Sequence, residues 1–528
     1  MKIKSMKKNK LFIGILLIFF LLGPIQTTQI FGKQTSTPAI ELNKEKPADT
    51  SDTSTSTLTP TPQLLQEQVE KIEAFVQRQM TVGKIPGMSV VIVMGDQTVY
   101  EKGFGFADLK KKIPVTPATL FELGSTSKAF TGLGVLLLEQ KGLLKLSDPV
   151  EKYLPWLKLK YKGKDTTVTI EQFLYQTSGV PFETIAAIPE MSGNDALEKT
   201  VRTLIGIELI HEPGTKFFYA TINYDVLGLI IQTISGEPYG EYIKTKILLP
   251  LGLTHTYLFR NEAETKGLAV GYKFCFNKLV AYDAPIYWGN TPAGYIITNA
   301  TDLARWLKIQ MGTIEISGFD KELIEKSHIP DPNLQDSNYA VGWMVFKKYN
   351  LITHGGANPN YSSNIGFGNE KVGVAVQANI NSNFTTGTGQ GIFYILRGEE
   401  PKPTLAAYDM NMRFDQLSTK IVYVLILFIL IALILFIRSL AKIISGKKRF
   451  SSRGIIGVVV FIMASLVMTA WVYLISIIPS LLGFNVPVTF GFVWLPCSFT
   501  YAILGLFLLG FIYYLFFLSV FFFRKLKS

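Results

Sequence analysis

The apolar positions divide the chain into a central part of mixed periodicity and two ends with long apolar runs. Between residues 63 and 81, apolar side chains recur at helical spacing, at Leu65, Val69, Ile72 and Val76. Residues 87–94 are apolar apart from Ser89 and rich in β-branched side chains, and Gly95-Asp96 leads into a second short run at 98–100. This order predicts a helix followed by a β-hairpin.

Helical patterns continue through the middle of this part, at residues 125–140, 170–176, 223–235 and 302–311. Strand patterns return late, at residues 339–346, 364–367 and 372–378. Strands at both ends with helices between them indicate one sheet assembled from distant parts of the chain. We therefore predict an α+β domain over residues 63–400.

The N-terminal end differs in composition from this domain. A lysine-rich start precedes an uncharged run at residues 11–25, which is typical of a secretory signal or a short uncleaved anchor within residues 1–32. The pattern leaves cleavage open. Residues 33–62 are mostly Ser, Thr, Pro and Lys, too polar to bury a core, and we predict a disordered linker there.

The C-terminal region, residues 401–528, contains three apolar runs that predict transmembrane helices, at 421–437, 454–478 and 501–523. Residues 480–500 are apolar but contain Pro487 and Pro496, so we predict an external or re-entrant loop. The loop 438–453 carries six basic residues. Basic loops favour the cytoplasmic side, so three crossings place the α+β domain outside the cell.

The net charge of +12 would suggest a nucleic-acid partner if it were spread over the domain. It is instead concentrated beside the terminal apolar runs, and the central part is nearly neutral, so we expect no nucleic-acid partner. Cys275 and Cys497 lie in different predicted domains, so we expect no disulfide. The four histidines have no metal-ligand spacing, and we expect no metal or other cofactor.

Ser125-Thr126-Ser127-Lys128 is the segment with the clearest chemistry. A serine at a helix start and a lysine three residues later lie on one helix face, so the amine can reach the hydroxyl and activate it. The helix N-terminus also favours negative charge on an oxyanion. Alone the motif is weak evidence, because serine at a helix start is more often an N-cap.

Further motifs follow in a fixed order, namely Thr177-Ser178-Gly179-Val180-Pro181, Glu212-Pro213-Gly214-Thr215, Tyr219-Ala220-Thr221, Asn223-Tyr224-Asp225-Val226-Leu227-Gly228, Pro250-Leu251-Gly252-Leu253 and His354-Gly355-Gly356. With Phe121–Lys128, this series resembles the serine β-lactamase and penicillin-binding-protein superfamily, in particular class C β-lactamase-related hydrolases. The resemblance covers about residues 65–395. It implies a β-lactamase/transpeptidase-like domain, with an antiparallel sheet flanked by helices and an all-helical subdomain.

The resemblance also implies roles for individual residues. Ser125 would be the nucleophile, and Lys128 and Tyr219 would share the general-base work as a coupled pair. Ser125 and Ala357 would supply the backbone N–H groups of an oxyanion hole. Three residues would bind substrate: Thr221, His354 and Gly356.

Two of these positions depart from the family pattern. Thr221 stands where the family has Asn, and a hydroxyl is shorter and makes fewer hydrogen bonds than an amide. His354 replaces a lysine found in many members, and it is a weaker and pH-dependent anchor for a carboxylate. Both changes argue against efficient β-lactam turnover more than against acyl-enzyme chemistry.

These observations predict a multi-pass protein of a bacterial cell membrane whose extracellular domain is a serine hydrolase. The substrate expected from the resemblance is a cell-wall D-Ala-type peptide, an ester or a β-lactam, and the sequence does not rank D,D-peptidase, esterase and β-lactamase. The alternative is a weakly active or inactive wall-binding or signalling module that retains the fold. Apart from the lipid bilayer, no partner is indicated, and the absence of charge within the apolar runs argues against a transporter.

Overall fold

The computed structural model describes residues 64–525, apart from 335–336, 402–403, 405–408, 482 and 484. The predicted signal or anchor, residues 1–32, and the predicted linker, residues 33–62, lie outside the described residues.

One antiparallel sheet forms the frame of the α+β domain. Its seven strands lie side by side in the order Met344–Phe346, Leu351–Asn358, Tyr361–Gly368, Val372–Ala378, Gly87–Met94, Gln97–Asp108 and Ile113–Pro114. Met88 pairs with Ala378 at the centre, so the first and last parts of the domain meet there. Three further strand pairs of this domain are Phe121–Glu122 with Ile297–Thr298, Leu159–Tyr161 with Lys164–Thr166, and Tyr272–Cys275 with Lys278–Ala281.

The helices of this domain lie at Gln66–Gly83, Lys128–Gln140, Ile170–Leu174, Ala196–Arg202, Asn223–Ser235, Tyr239–Ile243, Arg260–Glu264, Thr291–Gly294, Ala300–Gln310, Lys321–Ser327 and Asn383–Leu396. Short 3-10 or π turns lie at Gly124–Ser127, Val150–Lys152, Phe182–Ala187, Lys244–Leu248, Trp288–Asn290 and Lys347–Tyr349.

The central strand Gly87–Met94 is apolar apart from Ser89, because both of its faces are buried. Val90 and Ile92 pack against the helices Gln66–Gly83 and Asn383–Leu396 on one face. The intervening residues of the strand point to the other face, into the larger core that also contains the middle helices. This two-faced burial confirms the predicted α+β class and the sheet built from both ends of the domain.

Element bounds were predicted unevenly. The helix predicted at 223–235 is found at Asn223–Ser235. Ser125, predicted to open an α-helix, lies instead in a 3-10 turn, and the α-helix begins at Lys128. The strand predicted at 339–346 is reduced to Met344–Phe346, because the preceding residues leave the sheet and pack in the larger core.

Within its described residues, the C-terminal region contains three helices long and apolar enough to cross a membrane, Met410–Ile444, Gly454–Ser476 and Cys497–Phe521. We call them the first, second and third apolar helices. Their outward side chains are apolar and exposed, Leu427 to 57% and Ile455 to 83%, as a lipid-facing surface requires. Instead of a continuous loop at 480–500, two short helices, Ile478–Leu481 and Val488–Trp494, lie before the third apolar helix.

Cys275 and Cys497 form a disulfide, so the expectation of two unpaired cysteines was wrong. They are 222 residues apart in the chain. The hairpin Tyr272–Ala281, however, reaches the start of the third apolar helix and places Cys275 beside Cys497. We call this element the docking hairpin. Proximity that depends on the packing of two domains leaves no signal in cysteine spacing.

Candidate active site

The segment that carries Ser125 is a tight turn anchored on both sides. Gly124 adopts a positive φ of 57°, a conformation that favours glycine, and the 3-10 turn Gly124–Ser127 follows. Thr126 Oγ1 donates to the Leu123 carbonyl at 2.9 Å, and Ser127 Oγ accepts from Ile296 N at 3.1 Å. The turn is thereby fixed while Ser125 itself stays partly exposed at its tip.

Lys128 opens the following α-helix, and its side chain is completely buried. Its Nζ lies 3.2 Å from Ser125 Oγ and donates to the Ala293 carbonyl at 2.7 Å. Burial lowers the pKa of Lys128 to about 7, although the carboxyl of Asp225 acts in the opposite direction. A large fraction of this amine is therefore neutral near neutral pH and can accept a proton from the serine.

Tyr219 lies on the other side of the lysine. Lys128 Nζ is 5.1 Å from the centre of the Tyr219 ring. The Tyr219 ring keeps some exposed surface, but its hydroxyl is buried and makes no full hydrogen bond within the described residues. Burial raises the pKa of Tyr219 well above its ordinary value, and the nearby Ser125 side chain offsets part of this effect. The structure thus brings the three predicted catalytic residues together.

His354 and Ala357 lie on the strand Leu351–Asn358, which runs past the Ser125 turn. A Cβ on Gly356 would lie 1.9 Å from the Leu123 carbonyl oxygen, so only glycine allows the strand this close to the turn. A Cβ on Gly124 would likewise lie 2.4 Å from Ala357 N. These contacts place the backbone of Ala357 beside Ser125, where the predicted oxyanion hole requires it.

The imidazole of His354 is buried beside the reactive groups. Its Nδ1 lies 2.7 Å from the Gly355 carbonyl oxygen, and its ring centre lies 6.1 Å from that of Tyr219. Burial, together with the charge of Lys128, lowers the pKa of His354 to about 4. The ring is consequently neutral near neutral pH, and the Gly355 contact selects the Nδ1–H tautomer.

Thr221 is the predicted site residue with the weakest link to the others. It is 9% exposed and lies two residues beyond Tyr219, yet no hydrogen bond joins its side chain to Ser125 or Lys128 among the described residues. Asn223 does not replace it, because its amide donates to Gln176 Oε1 at 2.6 Å and accepts from Ser178 Oγ at 3.0 Å. Asn223 thus has a structural role at the start of its helix.

The structure adds two residues that motif reasoning had not assigned to the site. Tyr339 is fully buried, with its ring centre 6.0 Å from those of both Tyr219 and His354. Asp225 is also fully buried, and neither carboxyl oxygen has a hydrogen-bond partner within the described part of the chain. Burial raises the pKa of Asp225 well above its usual range, and the charge of Lys128 opposes this rise.

Asn358 is a third residue that motif reasoning had not assigned to the site, and it supports the strand that carries Ala357. Asn358 Nδ2 donates to Glu122 Oε2 at 2.6 Å and to the Gly294 carbonyl at 2.9 Å. This amide joins the strand before the Ser125 turn, the strand that carries Ala357 and the short helix that carries Ala293. No cluster of three or more His, Cys, Asp or Glu side chains suitable for a metal ion occurs in the described parts of the chain.

Comparison with known families adds to this geometry. The family described as Beta-lactamase matches residues 72–396, more than half of the chain. The chain belongs to the Beta-lactamase family. Penicillin-binding-protein homologues share the fold, so the resemblance to the serine β-lactamase and penicillin-binding-protein superfamily is confirmed. At the level of the family this is a serine hydrolase fold.

Curated relatives point to the same family. The chain is 35% identical over 328 residues to "Protein flp" of Staphylococcus aureus strain MRSA252, covering 61% of this chain and 65% of that protein. It is 32% identical over 259 residues to "Putative penicillin-binding protein PbpX" of Bacillus subtilis strain 168, covering 49% of this chain and 61% of that one. The chain thus matches slightly less than two thirds of the length of these relatives.

Solved structures of this family confirm the fold. The octameric penicillin-binding protein homologue from Pyrococcus abyssi is 32% identical with a TM-score of 0.57, covering 67% of this chain and 81% of that one. FmtA from Staphylococcus aureus is 25% identical with a TM-score of 0.53, covering 64% of this chain and 92% of that one.

Proposed function

We propose that this chain is a membrane-anchored serine hydrolase that forms an acyl-enzyme on Ser125 outside the cell. The observation that carries the proposal is the buried amine of Lys128, 3.2 Å from Ser125 Oγ and with its pKa lowered to about 7. A serine hydroxyl becomes an effective nucleophile when such a base is within reach. Membership of a serine hydrolase family supports the same chemistry.

The geometry suggests how the proton moves. Lys128 Nζ takes the proton of Ser125 Oγ as the oxygen bonds to the substrate carbonyl carbon, and the N–H groups of Ser125 and Ala357 hold the oxyanion. The pKa of Tyr219 is raised, so its phenol is protonated at neutral pH. It gives its proton to the leaving group as that bond breaks and recovers one from Lys128. Water then attacks the acyl-enzyme by the reverse path.

We propose an ester or amide of a small acyl group as the substrate, with a cell-surface D-Ala-type ester or amide as the first choice. Burial, together with the charge of Lys128, lowers the pKa of His354 to about 4, so its ring is neutral near neutral pH. A neutral imidazole offers a hydrogen bond instead of an ion pair to a substrate carboxylate. This favours substrates without a required carboxylate over penicillins.

We also propose that the Ser125 domain is extracytoplasmic. It packs beside the starts of the first and third apolar helices. The opposite ends of the helices carry a basic strand pair, Lys448–Phe450 with Phe523–Lys525. Basic residues favour the cytoplasmic side, and a disulfide favours an oxidising compartment. Both arguments agree with the predicted topology, in which the first apolar helix crosses inward, the second outward and the third inward.

One observation favours the alternative of a binding module without turnover. The Thr221 side chain makes no hydrogen bond to Lys128 or Ser125 within the described residues, whereas the family pattern has an asparagine there. A site without that amide could bind a cell-wall fragment and hydrolyse it poorly. The labelling experiment below separates the two functions.

The full-length protein in native membranes is expected to be labelled by a fluorophosphonate on Ser125, because Lys128 activates that hydroxyl. Peptide mass spectrometry identifies the labelled residue, and the Ser125→Ala variant is expected to stay unlabelled. Thr126→Ala is not a suitable control, since Thr126 Oγ1 bonds Leu123 and Ser363 in the same turn. Ser192→Ala is the matched control, because Ser192 is an exposed serine of the same domain. Absence of labelling in wild-type protein would favour the binding module.

The rate of ester hydrolysis is expected to rise with pH and to level off above about pH 7. The reason is that only the neutral amine of Lys128 accepts the serine proton, and its pKa is lowered to about 7. The Asp225 carboxylate raises that pKa. Asp225→Asn should therefore move the acid limb of the kcat/KM profile to lower pH.

The measurement is kcat/KM for a soluble ester that does not itself titrate between about pH 5 and 9. Asp195→Asn is the matched control, because Asp195 is exposed and pairs with Lys199 of the helix that it precedes. An unchanged acid limb in Asp225→Asn would show that this carboxyl does not act on the catalytic base.

A further inference from the structure

The docking hairpin fixes the Ser125 domain to the membrane helices through several independent contacts. The two carboxylate oxygens of Asp415, near the start of the first apolar helix, accept from Phe276 N at 3.0 Å and from Asn277 N at 2.6 Å. Ser498 Oγ of the third apolar helix donates to Asp415 Oδ1 at 2.6 Å. One carboxylate thus joins the hairpin to two helices.

Lys273 of the docking hairpin makes the second contact. It donates to the carbonyl oxygens of Phe492 and Val493. Both residues lie near the end of the short helix Val488–Trp494, which precedes the third apolar helix. The disulfide between Cys275 and Cys497 adds a covalent link at the same junction. Together these contacts hold the domain at one height above the helices, so it does not swing on a flexible connection.

The reactive groups lie close to this junction. The strand that carries His354 and Ala357 ends at Asn358, and the next residue, Pro359, lines a small cavity with Lys273 and Pro496. Pro496 immediately precedes the third apolar helix. Two residues of extended strand separate Pro359 from Ala357 and span roughly 7 Å, so the oxyanion-hole backbone lies roughly that far from the Pro359 side of this junction.

This short separation is comparable with the thickness of the polar layer of a bilayer. The polar headgroup layer on each side of the hydrocarbon core is about 5–8 Å thick. The third apolar helix begins at Cys497, and we place the outer boundary of the apolar layer near its start. Ser125, packed against Ala357 through Gly124, is consequently within reach of groups displayed at the outer membrane surface.

We infer that this site acts on acyl groups carried by molecules anchored in the outer face of the bilayer. The inference rests on the proposed serine hydrolase function and names the location of its substrate. An ester or amide attached to a lipid-anchored alcohol or amine meets Ser125 at the height at which the docking hairpin holds it. Soluble acyl compounds and acyl groups on distant wall polymers do not share this advantage.

The experiment uses the full-length protein reconstituted in phosphatidylcholine–phosphatidylglycerol vesicles. Two esters with the same acyl group and leaving alcohol are compared, one soluble and one linked to a diacylglycerol anchor. The wild type is expected to prefer the anchored ester by about tenfold in kcat/KM, with both esters expressed as bulk concentrations, because a fixed height raises the effective concentration. Equal kcat/KM values would overturn the inference.

An undocked variant separates fixed height from simple membrane attachment. The combination Lys273→Ala, Cys275→Ser and Asp415→Ala removes the junction contacts and leaves the apolar helices in place. It is expected to hydrolyse the soluble ester like the wild type and to lose the preference for the anchored ester. The same preference in both proteins would attribute it to attachment alone and overturn the inference.

Two other outcomes of the experiment, an inactive wild type and a misfolded undocked variant, are also distinguishable. If wild-type protein fails to hydrolyse even the soluble ester, the proposed hydrolase function fails, and this outcome is distinct from equal use of both esters. If the undocked variant misfolds, the wild type alone is tested with a fluorescent phosphonate on Ser125. Nitroxide on lipid headgroups is expected to quench that label strongly, and absence of quenching would overturn the membrane-surface location.

Discussion

Lys128→Met is expected to lower the rate of Ser125 acylation by about three to four orders of magnitude, the scale of losing a member of a catalytic triad. The amine lies 3.2 Å from Ser125 Oγ, and the pKa of Tyr219 is too high for its phenolate to take over near neutral pH. Methionine fills a similar volume and removes the amine. The measurement is the rate constant for fluorophosphonate labelling.

The same substitution should leave the fold largely intact. Lys128 is completely buried, so an apolar side chain of similar length suits the site better than an amine that must stay neutral. The Ala293 carbonyl loses one donor, which costs about 1–3 kcal/mol at most. The midpoint of thermal unfolding checks this, and the labelling rate is interpreted only if the variant is folded.

Lys141→Met is the matched control for this experiment. Lys141 caps the other end of the same helix and is exposed, so its loss should change neither labelling nor stability. If Lys128→Met is labelled within about tenfold of the wild-type rate, the amine is not the base, and the proposed mechanism is wrong.

The placement of Lys128 beside Ser125 could be predicted from sequence because it depends on local geometry alone. Helical residues three apart share a face whatever the rest of the chain does. The detail of the turn could not be predicted, since the 3-10 conformation at Ser125 depends on bonds from Thr126 and Ser127 to distant strands. Local spacing thus predicts that Ser125 and Lys128 are neighbours, whereas tertiary packing determines the conformation of the turn.

The strand Leu351–Asn358 shows the opposite case. Its segment Thr353-His354-Gly355-Gly356 lacks the apolar alternation that marks a strand, so the hydrophobic pattern missed it. The family resemblance assigned His354 to the site, and the neighbouring strand Tyr361–Gly368 supplies the pairing that fixes it in the sheet. Close approach to the Ser125 turn, rather than burial of large side chains, determines the composition of this strand.

Asp225 and Tyr339 were missed for a third reason. Each lies in a segment with an ordinary structural explanation, a buried helix for Asp225 and a predicted strand for Tyr339. Packing between separate elements brings Asp225 close to Lys128 and Tyr339 close to Tyr219. Tyr339 and Tyr219 are more than a hundred residues apart in the chain. The junction between the docking hairpin and the third apolar helix was missed on the same grounds.

Gly356→Ala is expected to lower the acylation rate by about 10²–10³-fold, the scale of losing one oxyanion-hole donor. The added methyl group would lie 1.9 Å from the Leu123 carbonyl oxygen and 2.4 Å from Ser363 Oγ. Ser363 Oγ also donates to that carbonyl at 2.5 Å, so neither neighbour can easily move aside. The strand must shift away from the Ser125 turn and take the N–H of Ala357 with it.

Gly355→Ala is the matched control, one residue earlier on the same strand. Gly355 is exposed, and its added methyl group would meet Thr386 Oγ1 at an ordinary 3.4 Å, so acylation should be unchanged. Overpacking at Gly356 is also expected to reduce the free energy of unfolding by about 1–3 kcal/mol, which thermal denaturation measures. A Gly356→Ala protein that loses stability but is acylated at the wild-type rate would show that Ala357 does not hold the oxyanion. Loss of acylation in both variants would instead point to a site that tolerates no change in this strand.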